Sequence, residues 1–316
     1  MDAQILSSRA VLGMYFMALE ANPGLVWVND LANMFNSDQA SETYPFLGQN
    51  PAMREVVGGR QAKGFRNNSL VITNKHYEAT LEIQTKDLRR DKTGQLRARI
   101  GEFADRNLSH WASLVSTLLI NGPATACYDG QYFFDTDHSE GDSGSQSNDI
   151  SVDISALPAA VHGVVTAPSM EEMQQAILAG IQAILGFKDD RGEPLNEGAK
   201  RFRVMVPVGL YTPALAACAT MATAVLQNNM NPNLLTDFRV DVSINPRLTW
   251  TDSFSVHRTD SPIKGMICQN ETAGDLKLKD ENSEFAFDNF AIQLGIDAWR
   301  GAGYGMWQRA CYVTMT

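Results

Sequence analysis

LVITNKHYEATLEIQTKDLRRDKTGQLRARIGEFADRNLSHWASLVSTLLIN, residues 70–121, decides the reading of this chain, because its hydrophobic period changes along the way. In the first part Tyr77, Ala79, Leu81 and Ile83 alternate with His76, Glu78, Thr80, Glu82 and Gln84. That period of two marks a half-buried strand. Asn74-Lys75 reads as a turn after the β-branched run Leu70-Val71-Ile72-Thr73, so a long ribbon is expected. Isolated two-stranded ribbons are marginal in water, and this one either packs on its own domain or reaches across to a neighbour. After Asp91-Lys92-Thr93-Gly94 the period becomes 3.6. Leu96, Ile100, Phe103, Trp111, Leu114, Val115 and Leu118 then share one face, and Asn121-Gly122-Pro123 is the stop. This predicts a helix of about 26 residues, about 39 Å long at 1.5 Å per residue.

Upstream, residues 3–20 read as a helix ended by Asn22-Pro23-Gly24, followed by an apolar segment, Leu25 to Phe35, and a polar stretch, Asn36 to Ser41. The first 50 residues have no core of their own and must bury Trp27, Phe35 and Phe46 against something else. Downstream, Ser169 and Glu172 fit a capping box at the start of a second helix. Its buried face is Met170, Met173, Ile177, Ile181 and Ile184, and Gly186 is its stop. Asp189 to Pro194 reads as a turn, Arg201 to Pro207 as a strand, and Pro213 to Leu226 as a helix. Strands are expected at Phe238 to Ile244 and Phe254 to His257, and strand-like pieces punctuated by Gly295, Gly301, Gly303 and Gly305 fill Phe285 to Thr314. Helices and strands mix without βαβ regularity, which makes the fold class α+β. There is no internal repeat, and Ser139 to Asn148 is a Gly/Ser/Asp loop.

Across 316 residues, 26 Lys and Arg stand against 36 Asp and Glu, a net charge of −10 that excludes a strongly basic nucleic-acid binder. With 44% hydrophobic and 20% charged residues, the chain is globular rather than disordered. Cys127, Cys218, Cys268 and Cys311 lie far apart with no CxxC, against a disulfide framework or zinc knuckle and in favour of a reducing compartment. The apolar cluster around Val11 to Met17 is not a signal peptide, given Asp2 and Arg9. No uncharged apolar run reaches the ~20 residues needed to cross a bilayer, so a soluble protein without a membrane partner is expected.

The one cluster that suggests chemistry is Asp135, Asp137 and His138, with Glu140 and Asp142 behind. Hard carboxylate oxygens and an imidazole suit a divalent cation, and a metal-dependent enzyme using those three residues is one reading. A polar loop bonded to its own backbone is the other, and it is preferred because no second cluster completes a site. No metal is therefore assigned. GxSxG, HExxH, GxxxxGK[ST] and a strand-to-helix GxGxxG are all absent. His76, His110, His138, His162 and His257 are scattered singly, so no catalytic residue and no cofactor is expected. Two basic groups, Arg54/Arg60/Lys63/Arg66 and Lys86/Arg89/Arg90/Lys92 with Arg97 and Arg99, read as solvated faces or as partners for acidic patches on another subunit.

Particular residues then say more than the patterns. Thr43 to Gly48 (TYPFLG), Pro51 to Glu55 (PAMRE) and Gly58-Gly59-Arg60 form one group of motifs. Asn74 with Tyr77 to Thr80 (YEAT), Asp129-Gly130-Gln131 with Phe134 to His138 (FDTDH), Arg203 to Pro207 (RVMVP) and Gly303 to Gln308 (GYGMWQ) follow. In this order they resemble the major head subunit of Mu-like phages and prophages, the gpT family. Arg89-Arg90 stands where an acidic pair is expected in that family, and Phe46 and Val56 where tryptophans are expected.

The resemblance implies the Hong Kong 97-like tailed-phage capsid fold. It implies an N-terminal arm at 1–57, an extended loop at 58–86, and a peripheral domain at 87–162 with a spine helix at 94–120. An axial domain at 163–260 and C-terminal strands at 261–316 that return to the periphery complete the expected layout. The implied function is a major capsid protein that assembles as hexamers and pentamers into an icosahedral head around double-stranded DNA. Its implied partners are itself, scaffolding protein and portal, decoration proteins, and DNA bound without sequence preference. The expected location is the virion, with assembly in the host cytoplasm. Tyr44, Arg54, Arg60, Lys63, Arg66, Tyr77, Arg89 and Arg90 are the expected subunit-interface residues. A shell protein of a cellular nanocompartment with the same fold is the alternative. Deletion of residues 62–84 is expected to leave a folded subunit that makes no shells.

Overall fold

The computed structural model describes residues 8–22, 24–44, 70–90, 94–227 and 238–316. Helices α1 (Ser8–Ala21) and α2 (Val26–Leu31) come first, then strands β1 (Ala32–Asn36), β2 (Ser41–Tyr44), β3 (Leu70–Thr73) and β4 (Lys75–Gln84). Helices α3 (Thr85–Arg90) and α4 (Gln95–Asn121) follow, with β5 (Asp149–Val152), α5 (Met170–Gly186), β6 (Arg201–Val206) and α6 (Tyr211–Gln227) behind them. The chain closes with β7 (Arg239–Ile244), β8 (Ser253–Arg258), β9 (Met266–Lys279), α7 (Glu284–Asn289), β10 (Ala291–Tyr304) and β11 (Ala310–Met315). One sheet has the order β1-β9-β10-β4, a second the order β5-β11-β8-β6-β7, and β2 pairs with β3 alone.

The four-stranded sheet settles where the period-two segment goes. Strands β3 and β4 are separated by Asn74 alone and do not fold back on each other. Strand β3 pairs with β2, and β4 pairs antiparallel with β10 from Gln84↔Ala291 to Lys75↔Arg300. Residues 75–84 therefore lie on their own domain. Leu81 and Ile83 pack with Leu96, Ile100, Ile292 and Leu294, and removing this strand would strip a core. The expectation that deleting 62–84 spares the subunit is corrected on that ground; residues 58–69 lie outside the described residues. Asn74 is not a turn but a buried joint. Its amide donates to Ser37 Oγ (3.1 Å) and Gln39 O (2.8 Å) and accepts from Gln269 Nε2 (2.7 Å).

Helix α4 covers this sheet with its first half and enters the main core with its second, on a face rotated from the expected one. Ala104, Ala112, Ser116 and Leu119 are buried with Leu96, Ile100 and Val115, while Phe103, Trp111 and Leu118 sit half-buried at the flanks. Small side chains let the helix lie close, and the aromatics reach sideways. Phe103 meets Tyr15 and Trp111 lies under the Arg300 guanidinium. Helix α1 packs on α4 through Val11 and Tyr15, whose hydroxyl accepts from Asn107 Nδ2 at 2.9 Å. Trp27, Val28 and Leu31 of α2 enter the main core, and Arg203 of β6 holds Asp30 at 2.6 Å. The described part of the expected arm is thus bound to its own chain. Phe35 is half-buried beside Tyr44, and Phe46 lies outside the described residues.

The five-stranded sheet carries α5 and α6. The capping box of α5 is present, with Ser169 Oγ accepting from Glu172 N and Glu172 Oε2 accepting from Ser169 N. Met173, Ile177, Ile181 and Ile184 are buried as expected, and the helix ends at Gly186. Strand β8 is buried at five of its six residues. The C-terminal residues divide between the halves, since β10 belongs to the four-stranded sheet and β11 pairs with β8 and β5. Two elements depart from the expected pieces at the C-terminal end. Strand β9 fills a stretch where no strand is expected, and Phe285 lies in the helix α7, capped by Ser283, rather than in a strand. Gly301 and Gly303 do not punctuate β10 but lie within it. A Cβ at either would meet Ile72 at 2.9 or 2.7 Å, so these glycines let β3 press on the sheet.

Candidate functional site

The residues singled out for metal chemistry are only partly brought together. His138 is fully buried, with Nδ1 2.7 Å from Asp129 Oδ2, Nε2 3.2 Å from Asn148 Oδ1, and its ring stacked on Trp307 at 4.0 Å. Asp135 instead accepts from the backbone N–H groups of Tyr132 and Thr136, and Asp137 is exposed. The Asp135, Asp137, His138 set is therefore not assembled, because backbone turns claim the first carboxylate and solvent the second. Cys127 and Asp129 stand in their place. The Cys127 thiol donates to Asp129 Oδ1 at 2.9 Å. Burial and the Asp129 charge push that thiol upward, whereas burial's upward push on Asp129 is outweighed by hydrogen bonds from His138 and Cys127, which hold its carboxyl low.

The expected interface residues also fall into distinct environments. Tyr44 points into its own chain, where its hydroxyl donates to Gln269 Oε1 at 3.0 Å, so it is a core residue rather than a contact surface. Tyr77 is half-buried with its ring edge-on to His110 of α4 at 4.3 Å. It lines a cleft with Phe103, Arg106 and Arg300. Arg89 and Arg90 end α3, and their side chains are outside the described residues, as are Arg54, Arg60, Lys63 and Arg66 altogether.

Surfaces suited to contact a neighbour lie elsewhere. In β10, Ile292, Leu294 and Ile296 face the cluster built with α1 and α4, and the alternate residues turn to the opposite face of the sheet. There Trp299 remains 40% exposed, stacked on His76 at 4.6 Å, and Asp297 binds Lys277 and His76. Strand β4 is an edge of this sheet, and an edge presents unpaired backbone groups. At the sheet's end α7 displays Phe287 at 82% exposure, and Phe290, which caps the helix, is 74% exposed. Among the described residues Phe290 is the one non-glycine with positive φ, 53°. Val161 and Val164 are exposed in the loop before α5. These features went unread in the sequence, because exposure of an aromatic depends on which side of the sheet it occupies.

Residues 13–158 match the family model described as Mu-like prophage major head subunit gpT. The chain is 37% identical over 123 residues to the Mu-like prophage FluMu major head subunit of Haemophilus influenzae, an alignment covering 39% of this chain and 40% of that one. Over 110 residues it is 34% identical to the major capsid protein of Escherichia phage Mu, covering 35% and 36%. The alignments thus span about two fifths of these curated relatives. A subunit in the procapsid of bacteriophage JBD30 superposes with a TM-score of 0.56 at 21% identity, covering 96% of this chain and 72% of that chain. The fold is that of tailed-phage capsid proteins, Hong Kong 97-like and α+β. The motifs at 203–207 and 303–308 lie beyond the matched range.

Proposed function

We propose that this chain, which carries a Mu-like gpT major head subunit domain over residues 13–158, is the shell-forming subunit of a phage head and acts by assembly rather than catalysis. The observation that carries the reading is that domain match together with a capsid fold superposing over 96% of the chain. The open sheet face, the free edge of β4 and the exposed aromatics of α7 fit the same role. Many copies bury such surfaces against one another, and weak contacts sum cooperatively into a closed shell. Heterologous contacts that close by rotation make rings, and rings of six and five together close a container.

In this reading the subunit belongs to the virion and is assembled in the host cytoplasm with scaffolding protein and portal. A net charge of −10 suits a wall that contains double-stranded DNA without gripping it, since a basic surface would release counterions and bind the duplex tightly. The test is sedimentation velocity with negative-stain electron microscopy on the full chain, made alone and with its scaffolding protein. Closed megadalton particles, or rings that convert to them with scaffold, are expected. A monodisperse monomer or small oligomer in both samples would overturn the reading.

A further inference from the structure

We propose that Cys127, Asp129 and His138 form a site for one zinc-like divalent cation per chain, in the loop that follows α4. The proposal concerns the subunit itself and does not rest on the shell reading. A thiol sulfur, a carboxylate oxygen and an imidazole nitrogen converge here, all within 4.8 Å of one another. Sulfur and nitrogen ligands of this kind select zinc over magnesium or calcium, which take oxygen alone. The ligands are held by local structure. An isolated β-bridge, Ala126↔Tyr132, closes the turn that carries Cys127 and Asp129, and a second, His138↔Gln146, holds the histidine.

The histidine is also oriented as a ligand. Asn148 donates its amide hydrogens to Phe133 O (2.8 Å) and Trp307 O (3.4 Å), and its Oδ1 accepts from Asp135 N (2.9 Å), so Oδ1 faces His138 as an acceptor. His138 Nε2 at 3.2 Å must therefore carry a hydrogen. That leaves Nδ1 to face Asp129 and Cys127. Metal-bound histidines characteristically donate their other ring N–H to such an orienting acceptor. Trp307, stacked on the ring at 7° between planes, fixes its tilt.

Charge and distance are consistent with an ion. A cysteine thiolate, an aspartate and a neutral histidine around a dication sum to zero, which suits a buried cluster better than an uncompensated charge does. On binding, the cation displaces the thiol proton and the proton held between Asp129 and His138, both of which leave to solvent. The present Nδ1 to Oδ2 and Sγ to Oδ1 separations are 2.7 and 2.9 Å. These contacts use different oxygens of one carboxylate, of which a tetrahedral ion takes one; its ligand atoms stand about 3.3 to 3.6 Å apart, so the pair that shares the ligating oxygen must open by about 0.6 Å. The fourth position falls to water.

The test uses the full-length chain, stripped with chelator, dialysed, and titrated with Zn²⁺ and separately with Co²⁺. Elemental analysis is expected to find about one zinc per chain after desalting, with protons released on binding. The cobalt form is expected to show a near-ultraviolet thiolate-to-metal band and intense tetrahedral visible bands. Cys127→Ser should lose the thiolate band and Cys218→Ser should keep it. Failure of the wild-type chain to retain zinc, a cobalt spectrum without the thiolate band, or a band that survives Cys127→Ser would each overturn the proposal. The wild-type measurements decide by themselves if Cys127→Ser does not fold.

Discussion

The two main sheets of this molecule are built to opposite plans. The five-stranded sheet buries β8 almost completely under α5 and α6, and its apolar residues join one large core with Phe202, Phe254 and Trp307. The four-stranded sheet has a smaller core under α1 and α4, a still smaller cluster with Ile72 and Tyr44 where β2 and β3 press on its other face, and it leaves Trp299 partly exposed and β4 at its edge. One half completes itself, and in the proposed shell the other is finished by what it meets. The proposed shell role needs both, since a rigid body must exist before weak surfaces can be multiplied over a lattice.

Substitutions should separate the halves by size of effect. Ile177→Ala, at a fully buried position of α5, is expected to destabilise the subunit by about 2–5 kcal/mol through lost burial and a cavity, read by urea unfolding. A loss under about 1 kcal/mol would mean that this core is looser than its burial implies. Acid should act on the same half. His257 of β8 is buried and its Nε2 bonds Ser255 Oγ at 2.8 Å, and burial pushes its pKa down to about 3. The unfolded chain takes up this proton below about pH 6.5 and the folded chain does not until about pH 3, so stability is full above 6.5 and falls as pH drops through that window. At about 1.4 kcal/mol per unit, the loss by pH 5 is about 2 kcal/mol. His257→Gln should flatten that slope in a pH series of unfolding curves, and an unchanged slope would assign the acid sensitivity to other groups.

Smaller effects sharpen the contrast. Ser169→Ala removes one half of the capping box and should cost about 1 kcal/mol, visible as a lower urea midpoint at unchanged slope. Trp299→Ala should change subunit stability by about 0.5 kcal/mol or less, as exposed positions do, yet reduce the yield of closed particles by electron microscopy. Equal losses of stability from Trp299→Ala and Ile177→Ala would erase the distinction between the halves.

How far the sequence carried this picture differs by element. Helices α4 and α5 were legible because a 3.6 period over many residues, a stop signal and, for α5, a capping box agree. The partner of β4 was not, because the period of two says which side of a strand is buried and nothing about which strand lies beside it. Strand β9 carries the same period of two in Leu276 and Leu278 between Asp275, Lys277 and Lys279, but Gly274 interrupts the run and hides its length. Gly301 and Gly303 misled in the same way, since their use is close packing with Ile72 rather than a break. At the buried cluster the sequence grouped His138 with Asp135 and Asp137, whereas the structure places it beside Cys127 and Asp129. Cys127 and Asp129 lie 11 and 9 residues away and reach it only through the turn between the 126–132 and 138–146 bridges.

Amide hydrogen exchange, compared between dissociated subunits and assembled particles, tests most directly whether the four-stranded half is completed by its neighbours. Exchange in β8, residues 253–258, should be slow in both, because that strand is complete within the subunit. Exchange along β4, residues 75–84, and at Phe287 to Phe290 should slow at least tenfold in particles, as the free edge and exposed aromatics become covered. Identical exchange in β4 and α7 before and after assembly would contradict the claim that this half of the molecule is completed by its neighbours.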